Sequence, residues 1–474
     1  MTVVDNVLNL NPNQILGALT SDDSNTRSFG FSVAISSDGS TLVIGDNSSD
    51  TGASGGREGR VFTYKWNTTT NQWDQDGNVL ESSNPEYFAR FGTSVALSSD
   101  GSVLAVGDEI ERDGTVDGNY YNNRGRVYIY ERNGSTWEQR GQSLEAWDAG
   151  NSPSSVAYFG SSVALSGDGL TLIVGSRMMS LGSYDNDYAG GVDTYERSSG
   201  SWNWNRVGGT LFAYDAAQSF EFGSSVAISD DGNILVVGSK SRSTGFNTYE
   251  DSSFGGVYTY ERSGNSWNRL GVVLTKILGT AQSPYNLFGK SVSLSSDAST
   301  LCVASGINSG AITFYDWDGS SSWIRRTEIE RSGIESVALT SDAKVTVVGT
   351  PYTIFGTGGG YGGVITYSTE FESYTAIESY SNVNEGEPLT INVSTTNVDN
   401  NTELWWTIES NSGDFDVSSG SFLIDNNSGS FTVTPTADST TEDGIETFTV
   451  AIRTGSTNGE NVAETHSITI NDTS

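Results

Sequence analysis

Five times the chain writes almost the same sentence. "FGFSVAISSDGSTLVIGD" begins at Phe29, "FGTSVALSSDGSVLAVGD" at Phe91, "FGSSVALSGDGLTLIVGS" at Phe159 and "FGSSVAISDDGNILVVGS" at Phe222, with a looser copy from Phe288. The spacings are 62, 68, 63 and 66 residues. A degenerate sixth copy, "GIESVALTSDAKVTVVG", begins at Gly333, 45 residues after Phe288. A period of this size means repeated supersecondary units packed side by side.

One unit parses into four strands. "FGTSVALS" alternates, with Phe91, Val95 and Leu97 on one face. "SDG" is a hairpin signal, and "SVLAVG" is short and apolar. A variable polar loop leads to "GRVYIYER", then "NGSTW" turns into "WEQRGQSL". The third strand recurs at Gly59, Gly190, Gly255, Gly310 and Gly362, and a fourth-strand tryptophan at Trp73, Trp137, Trp202, Trp267 and Trp323. Four antiparallel strands per unit, repeated radially, is the plan of a β-propeller. Such a ring leaves only short, protected edges. The glycine after each Phe suits strands crowded near an axis, and each Phe is expected to fill the space between blades. The sixth unit has no fourth-strand Trp, and residues 2–20 have no first three strands, so they are expected to complete the last blade. The reading is all-β, with six blades over residues 1–371 and seven as the alternative.

The composition agrees with many short strands joined by turns. The chain has 474 residues, 56 Gly, only 7 Pro and 11% aromatic residues, enough to fill a core and unlike a disordered chain. The formal charge of −34 repels phosphates and excludes nonspecific nucleic-acid binding as a main role. It also opposes contact with an anionic membrane surface. It favours solubility in salty water, where repulsion is screened, and can recruit divalent cations. Cys302 is the single cysteine, so no intrachain disulfide forms, and "TLCVAS" reads as a core strand with an inert thiol. No apolar run approaches a membrane span. "MTVVDNVLNL" does not read as a signal peptide. Work outside a cell would then need another route, such as release by lysis within a virus particle.

The Phe-Gly start, the "SDG" turn and the "VG" ending of the second strand resemble the FG-GAP repeat family, relatives of the integrin α-chain propeller. The resemblance covers about residues 2–371 and implies a fold more than a function. Integrin-type blades also carry a DxDxDG calcium loop. The acidic loops here, "GDEIERDGTVDG" and "SYDNDYAGG", have a different spacing, with Asp185 and Asp187 as candidate calcium ligands.

Composition shifts near residue 372. About seven short strand-like runs follow in residues 372–474, the pattern of an Ig-like β-sandwich, with Trp405 or Trp406 in its core. "VNEGEPLTINV", "GDFDVSSGSF", "PTADSTTEDGIETFTV" and the final "SITIND" resemble the Calx-β domain. That resemblance implies a calcium site at one end of the sandwich and nominates Glu385, Asp416, Asp438, Glu446 and Asp472. The acidic pair expected of the family reads Asp438-Ser439 here.

The catalytic inventory is thin. His466, read in the last strand, is the only histidine, which argues against a Ser-His-Asp triad or a zinc site. Neither GxSxG nor GxxxxGK[ST] occurs. Two carboxylates would suffice for a glycosidase. The nearest approach to a sialidase box, "SSDGSTL", places Gly39 directly after Asp38 and reads as a hairpin turn. The variable loops offer recognition surfaces instead, with Tyr120, Tyr121, Tyr184 and Tyr188 as candidates to stack on sugar rings. The C-terminal style resembles structural proteins of tailed phages of marine cyanobacteria. That resemblance implies a non-enzymatic virion protein at the particle surface, in a tail fibre, another appendage or the capsid surface, serving attachment or assembly. Its expected partners are other virion proteins, further copies of itself in a homo-oligomer, and host surface glycans. The alternatives are a secreted or surface bacterial adhesin and a calcium-dependent glycan-cleaving enzyme.

Overall fold

The computed structural model describes residues 15–19, 28–52, 56–70, 72–83, 89–110, 124–146, 157–179, 188–216, 220–241, 253–275, 285–306, 310–331, 333–351, 363–368, 373–378, 382–396, 398, 400–410, 414–437, 446–459 and 461–471. The chain forms two compact units, one spanning Asn9–Thr369 and the other containing Glu370–Ser474. Regular structure among the described residues is all strand apart from a single 3-10 residue, so no described helix is long and apolar enough to cross a membrane.

Among the described residues of the larger unit, six antiparallel sheets follow one plan. The first blade runs Ser32–Ile35, Thr41–Asp46, Arg60–Asn67 and Gln72–Gln75, each strand paired to the next. The innermost strands of the next five blades are Phe91–Leu97, Phe159–Leu165, Phe222–Ile228, Ser291–Leu294 and Ser336–Leu339. Each contacts the next, and the sixth contacts the first. This closed ring of radial sheets is a β-propeller. The sixth blade takes its outer strand from the other end of the unit: Ile15–Leu19 pairs antiparallel with Val364–Ser368. Closure therefore joins the two ends of the ring through backbone hydrogen bonds within one sheet.

The repeated words have distinct jobs. Each of Phe29, Phe91, Phe159, Phe222 and Phe288 is fully buried, in a cluster that draws on two adjacent blades. Phe91, for instance, sits with Val43 and Val61 of the first blade and Val95 and Tyr128 of its own, its ring edge-on to Tyr128 at 5.6 Å. The glycine that follows has positive φ, and its carbonyl accepts a hydrogen bond from a serine of the preceding blade. Ser32 Oγ donates to Gly92 O (2.8 Å), Ser94 to Gly160 (2.7 Å), Ser162 to Gly223 (2.8 Å), Ser225 to Gly289 (2.8 Å) and Ser336 to Gly30 (3.3 Å). The second-strand glycine makes room for this contact: a Cβ on Gly107 would overlap the Gly160 carbonyl and Ser94 Oγ.

The "SDG" segment is a turn. Asp38 Oδ1 accepts from Ser36 Oγ (2.6 Å) and Ser40 N (2.9 Å), and Asp100, Asp231 and Asp297 repeat the pattern. Beside these turns a second belt runs round the ring. Ser37 N donates to Ser99 O, Ser99 N to Gly167 O, Gly167 N to Asp230 O, Asp230 N to Ser296 O and Ser296 N to Ser341 O, each at 3.0 Å. Ser341 Oγ closes the belt on Ser37 O at 3.1 Å.

The fourth strand departs from the continuous run read in the sequence. In the second blade it is broken into Thr136–Gln139 and Leu144–Glu145. Gly141 lies in the break with positive φ, and a Cβ there would press on the Trp202 carbonyl of the next blade.

The described residues of the smaller unit form three sheets: Ser373–Glu378 with Leu389–Thr396 and Ser428–Val433; Asn382–Asn384 with Ile468–Asn471 and Glu446–Phe448; and Ser419–Leu423 with Glu403–Ile408, Val450–Thr454 and Asn461–Glu464. They surround one apolar core. Of the tryptophan pair it is Trp406 that is buried, stacked on Phe431 at 4.9 Å. His466 is exposed and precedes the last strand, which begins at Ile468. "THS" is thus a connector, and the alternating pattern becomes a strand only at "ITIN".

Candidate functional site: the loop-bearing face and the channel mouth

Antiparallel pairing sends every turn of one kind to the same face. In the second blade, Phe91 pairs with Asp108, Asp108 with Arg126, and Arg126 with Glu145. The start of the first strand, the end of the second, the start of the third and the end of the fourth therefore share one edge. The long connections, such as 109–125, 177–190 and 240–252, leave from this edge, as do the segments that lead into the next blade. The opposite edge carries the short hairpins.

Inside the loop-bearing edge, the axial channel opens in a mouth of about 240 Å³. All six blades contribute to it, and its lining includes Arg90, Glu109, Arg177, Lys240, Lys290 and Glu335. The charges are wired together across blades. Arg90 Nη1 meets Glu109 Oε1 at 2.9 Å, Arg177 Nε meets Glu109 Oε2 at 2.9 Å, Arg177 Nη1 meets Glu221 Oε2 at 3.4 Å, and Lys240 Nζ meets Glu221 Oε2 at 3.3 Å. Lys290 pairs separately with Glu335 at 2.5 Å and donates to the Ile334 carbonyl at 3.1 Å. The Glu109 side chain is 4% exposed and Arg177 15%, so the two are largely desolvated and depend on each other.

Burial pushes the Glu221 carboxyl up, but Lys240, Arg177 and the Ser241 hydroxyl outweigh it and hold it below its ordinary value. Burial likewise disfavours the Arg177 cation, and Glu109 and Glu221 more than offset that. The Arg177 guanidinium also lies over the Tyr158 ring at 4.4 Å. Tyr158, Glu221 and Leu287, each the residue just before a repeated Phe, all have positive φ. The chain thus accepts backbone strain where it turns into the mouth.

These residues were not singled out from the sequence, yet a signal was there. They occupy three repeat offsets: just before the Phe (Arg90, Glu221), two after it (Lys290, matched by Glu335 in the sixth unit), and two after the second-strand glycine (Glu109, Arg177, Lys240). Charge varies at these offsets while the surrounding words stay constant.

Of the sugar-stacking candidates, Tyr188 is half-buried on the loop-bearing edge, and its carbonyl accepts from Glu221 N at 3.3 Å. Tyr120, Tyr121 and Tyr184 lie outside the described residues, as do Asp185 and Asp187. Among the described residues, no group of three or more His, Cys, Asp or Glu side chains is placed to hold a metal ion. Cys302 is fully buried, and burial pushes its thiol up, the state of an inert core cysteine.

In the smaller unit, Asp438 and Asp472 also lie outside the described residues. The backbone brings the flanks of the five nominated positions to one end. Glu385 N donates to Asn471 O, Gly386 N to Pro435 O and Thr436 N to Asp414 O, while Glu446 pairs with Ile470. Asp416 is exposed and Glu446 half-buried. Glu385 is 9% exposed, and its buried Oε2 has no hydrogen-bond partner.

No family model matches the chain, and no curated protein matches it. Solved structures similar to it include the periplasmic gluconolactonase PpgL of Pseudomonas aeruginosa, at 16% identity over 68% of this chain and 78% of that one, with a TM-score of 0.40. The WD40 repeats of RRP9 match at 13% identity, 74% and 97% coverage and a TM-score of 0.42. The Dos1 propeller matches at 10%, 93% and 93%, and 0.37. The propeller assignment rests on the strand order and ring contacts described above.

Proposed function

We propose that this protein is a non-enzymatic structural component of a virus particle, an appendage or capsid-surface protein whose propeller adheres to host surface glycans. The observation that carries the reading is the division of the ring into two unlike faces. One is a closed belt of tight, hydrogen-bonded hairpins. The other carries the long, sequence-variable connections around a charged mouth. Recognition usually resides on variable loops held by a rigid scaffold, and this arrangement gathers them on one side. A single histidine in the chain and the turn geometry of "SDG" support adhesion over hydrolysis.

The FG-GAP-like reading of the larger unit and the Calx-β-like reading of the smaller one belong to this proposal, and so do residues 1–371 and 372–474 as the two domains. The smaller unit would dock to other virion proteins or to copies of itself. Calcium would bind at its end through Glu385, Asp416, Asp438, Glu446 and Asp472. The buried, unpartnered Glu385 Oε2 fits a hard cation that takes oxygen ligands.

Peptide mass spectrometry of gradient-purified particles tests the reading. The chain should be present at tens of copies or more per particle, with a number that separates an appendage from a coat. Recovery only in bacterial envelope fractions would favour the adhesin, and sugar release from a broad glycan panel would favour the enzyme.

A further inference from the structure

We infer that the channel mouth on the loop-bearing face is a subsite for the acidic group of a sugar, a carboxylate on the pyranose ring, held between Lys240 and Lys290. The inference rests on the glycan-adhesion reading and names the class of sugar.

The first argument is charge. The chain carries 58 acidic residues against 24 Lys and Arg, so cations are scarce and their placement is informative. The described lining of the mouth holds four cations, Arg90, Arg177, Lys240 and Lys290, and two carboxylates, Glu109 and Glu335. Glu221 joins the network from behind the lining. The chain as a whole is strongly negative, whereas the described lining of this mouth carries more cations than carboxylates.

The second argument is how the pairing is distributed. Arg90, Glu109, Arg177, Glu221 and Lys240 form one alternating chain over the second, third and fourth blades, with a cation at each end. Lys290 and Glu335 form a separate pair across the fifth and sixth blades. Lys240 and Lys290 are the lining cations of the neighbouring fourth and fifth blades, the first paired with Glu221 and the second with Glu335 and the Ile334 carbonyl, and among the described residues no carboxylate pairs with both. Neither of the lining carboxylates belongs to these two blades. A bound carboxylate would complete the alternation and gain charge-assisted hydrogen bonds from both.

The third argument is the rest of the lining. Thr93, Ser161 and Ser224 line the mouth at the offset that Lys290 occupies in the fifth blade, their hydroxyls donating to the Arg90, Gly175 and Gly238 carbonyls and so left to act towards a ligand only as acceptors, and Phe31 is a half-buried lining residue at the same offset in the first. Hydroxyl oxygens that can accept from sugar hydroxyls, beside an aromatic residue, suit a pyranose better than a bare ion. The mouth, at about 240 Å³, is smaller than the ~300–1,000 Å³ of a drug-sized site. It has room for one sugar residue.

The test measures binding of sodium glucuronate to the full chain by calorimetry at low and moderate salt, with glucose as the uncharged match and sodium sulfate as the free anion. Glucuronate should bind more tightly than either, and K240Q/K290Q should weaken it tenfold or more. K240Q alone should weaken it several-fold while leaving the Lys290 contacts at Ile334 and Glu335 intact, so a folding defect of the double variant would not mask the result. K240R/K290R should retain binding. Equal binding of glucuronate by the wild type and K240Q/K290Q would overturn the site, and sulfate binding as tightly as glucuronate would overturn the sugar. If the wild type adheres to neutral glycans but not to glucuronate, only this inference fails. If it adheres to no glycan on a broad panel, the adhesion reading falls with it.

Discussion

Five of the six seams between blades are built alike, and the seam between the fifth and sixth blades is not. At the five, a Phe from one blade fills the gap, a serine donates across it to a glycine carbonyl, and where a second-strand glycine faces that carbonyl it lets the two backbones approach. At the sixth, Gly333 and Ile334 stand where Phe and Gly would be, and Ala304 replaces the second-strand glycine. With Gly absent on both sides, the backbones are joined differently: Val337 N donates to Ser291 Oγ at 3.1 Å and Leu339 N to Ser293 Oγ at 2.9 Å. An aromatic residue stands on the other side of this seam. Phe314 pairs with Cys302, the register position held by Thr63, Ile129, Thr194 and Thr259 in the first four blades. Thr194 and Thr259 accept hydrogen bonds from Trp267 and Trp323 of the following blade, both at 2.9 Å, so this position faces the next blade. The sixth blade has no such Trp, and in the fifth blade this position holds Phe314. A seam must be filled and its polar groups satisfied, but which strand supplies the ring is free.

The largest effects should come from the aromatic rings. Phe159→Ala and Phe314→Ala should each cost about 3–5 kcal/mol in urea unfolding followed by tryptophan fluorescence, although the two rings come from different strands. A loss under about 1 kcal/mol for Phe314→Ala would show that the odd seam is not held by that ring. Next come the glycines. Gly107→Ala forces its Cβ into the Gly160 carbonyl and should cost about 1–3 kcal/mol, whereas Ala304→Gly should cost about 0.5–1 kcal/mol. Equal costs would erase the distinction between the seams.

Smaller still are the single hydrogen bonds. Ser94→Ala and Trp267→Phe should each cost about 1 kcal/mol. Ser291→Ala, measured in the same way, sharpens the comparison: it should match Ser94→Ala, because it leaves Val337 N without its acceptor. The mildest effect is one of pH. Partial burial pushes the Asp38, Asp100, Asp231 and Asp297 carboxyls up, but hydrogen bonds from neighbouring hydroxyls and backbone N–H groups outweigh this and hold all four below the usual 3.8. Their folded values are lowered, so the stability they contribute is complete above that value and is lost as pH falls through the lowered ones. Asp100→Asn should make the acid limb of a Tm-against-pH curve slightly shallower, and an unchanged limb would remove these turns from acid denaturation.

Much of this was legible before the structure. Alternation from Phe91 to Leu97, the "SDG" turn and the recurring Trp marked strands, hairpins and blade edges, because local pattern and turn chemistry act over a few residues, although Trp202 precedes its fourth strand, which begins at Asn205. The charged mouth was not legible, although its residues sit at fixed offsets. Arg90, Arg177 and Lys290 are far apart in the chain, and only closing the ring sets them round one opening. Phe314 was likewise one aromatic among many until register showed which blade it faces.

The sequence by itself determined that the chain builds repeated four-stranded sheets with buried Phe and close-approach Gly, since those demands are made by strand geometry and volume. Counting the strands of each unit also pointed to residues 2–20 as the closing strand of the last blade, but the tertiary structure alone decided how the irregular seam is filled and where the scarce cations gather. Those outcomes depend on contacts between residues tens to hundreds of positions apart, and no local preference encodes them.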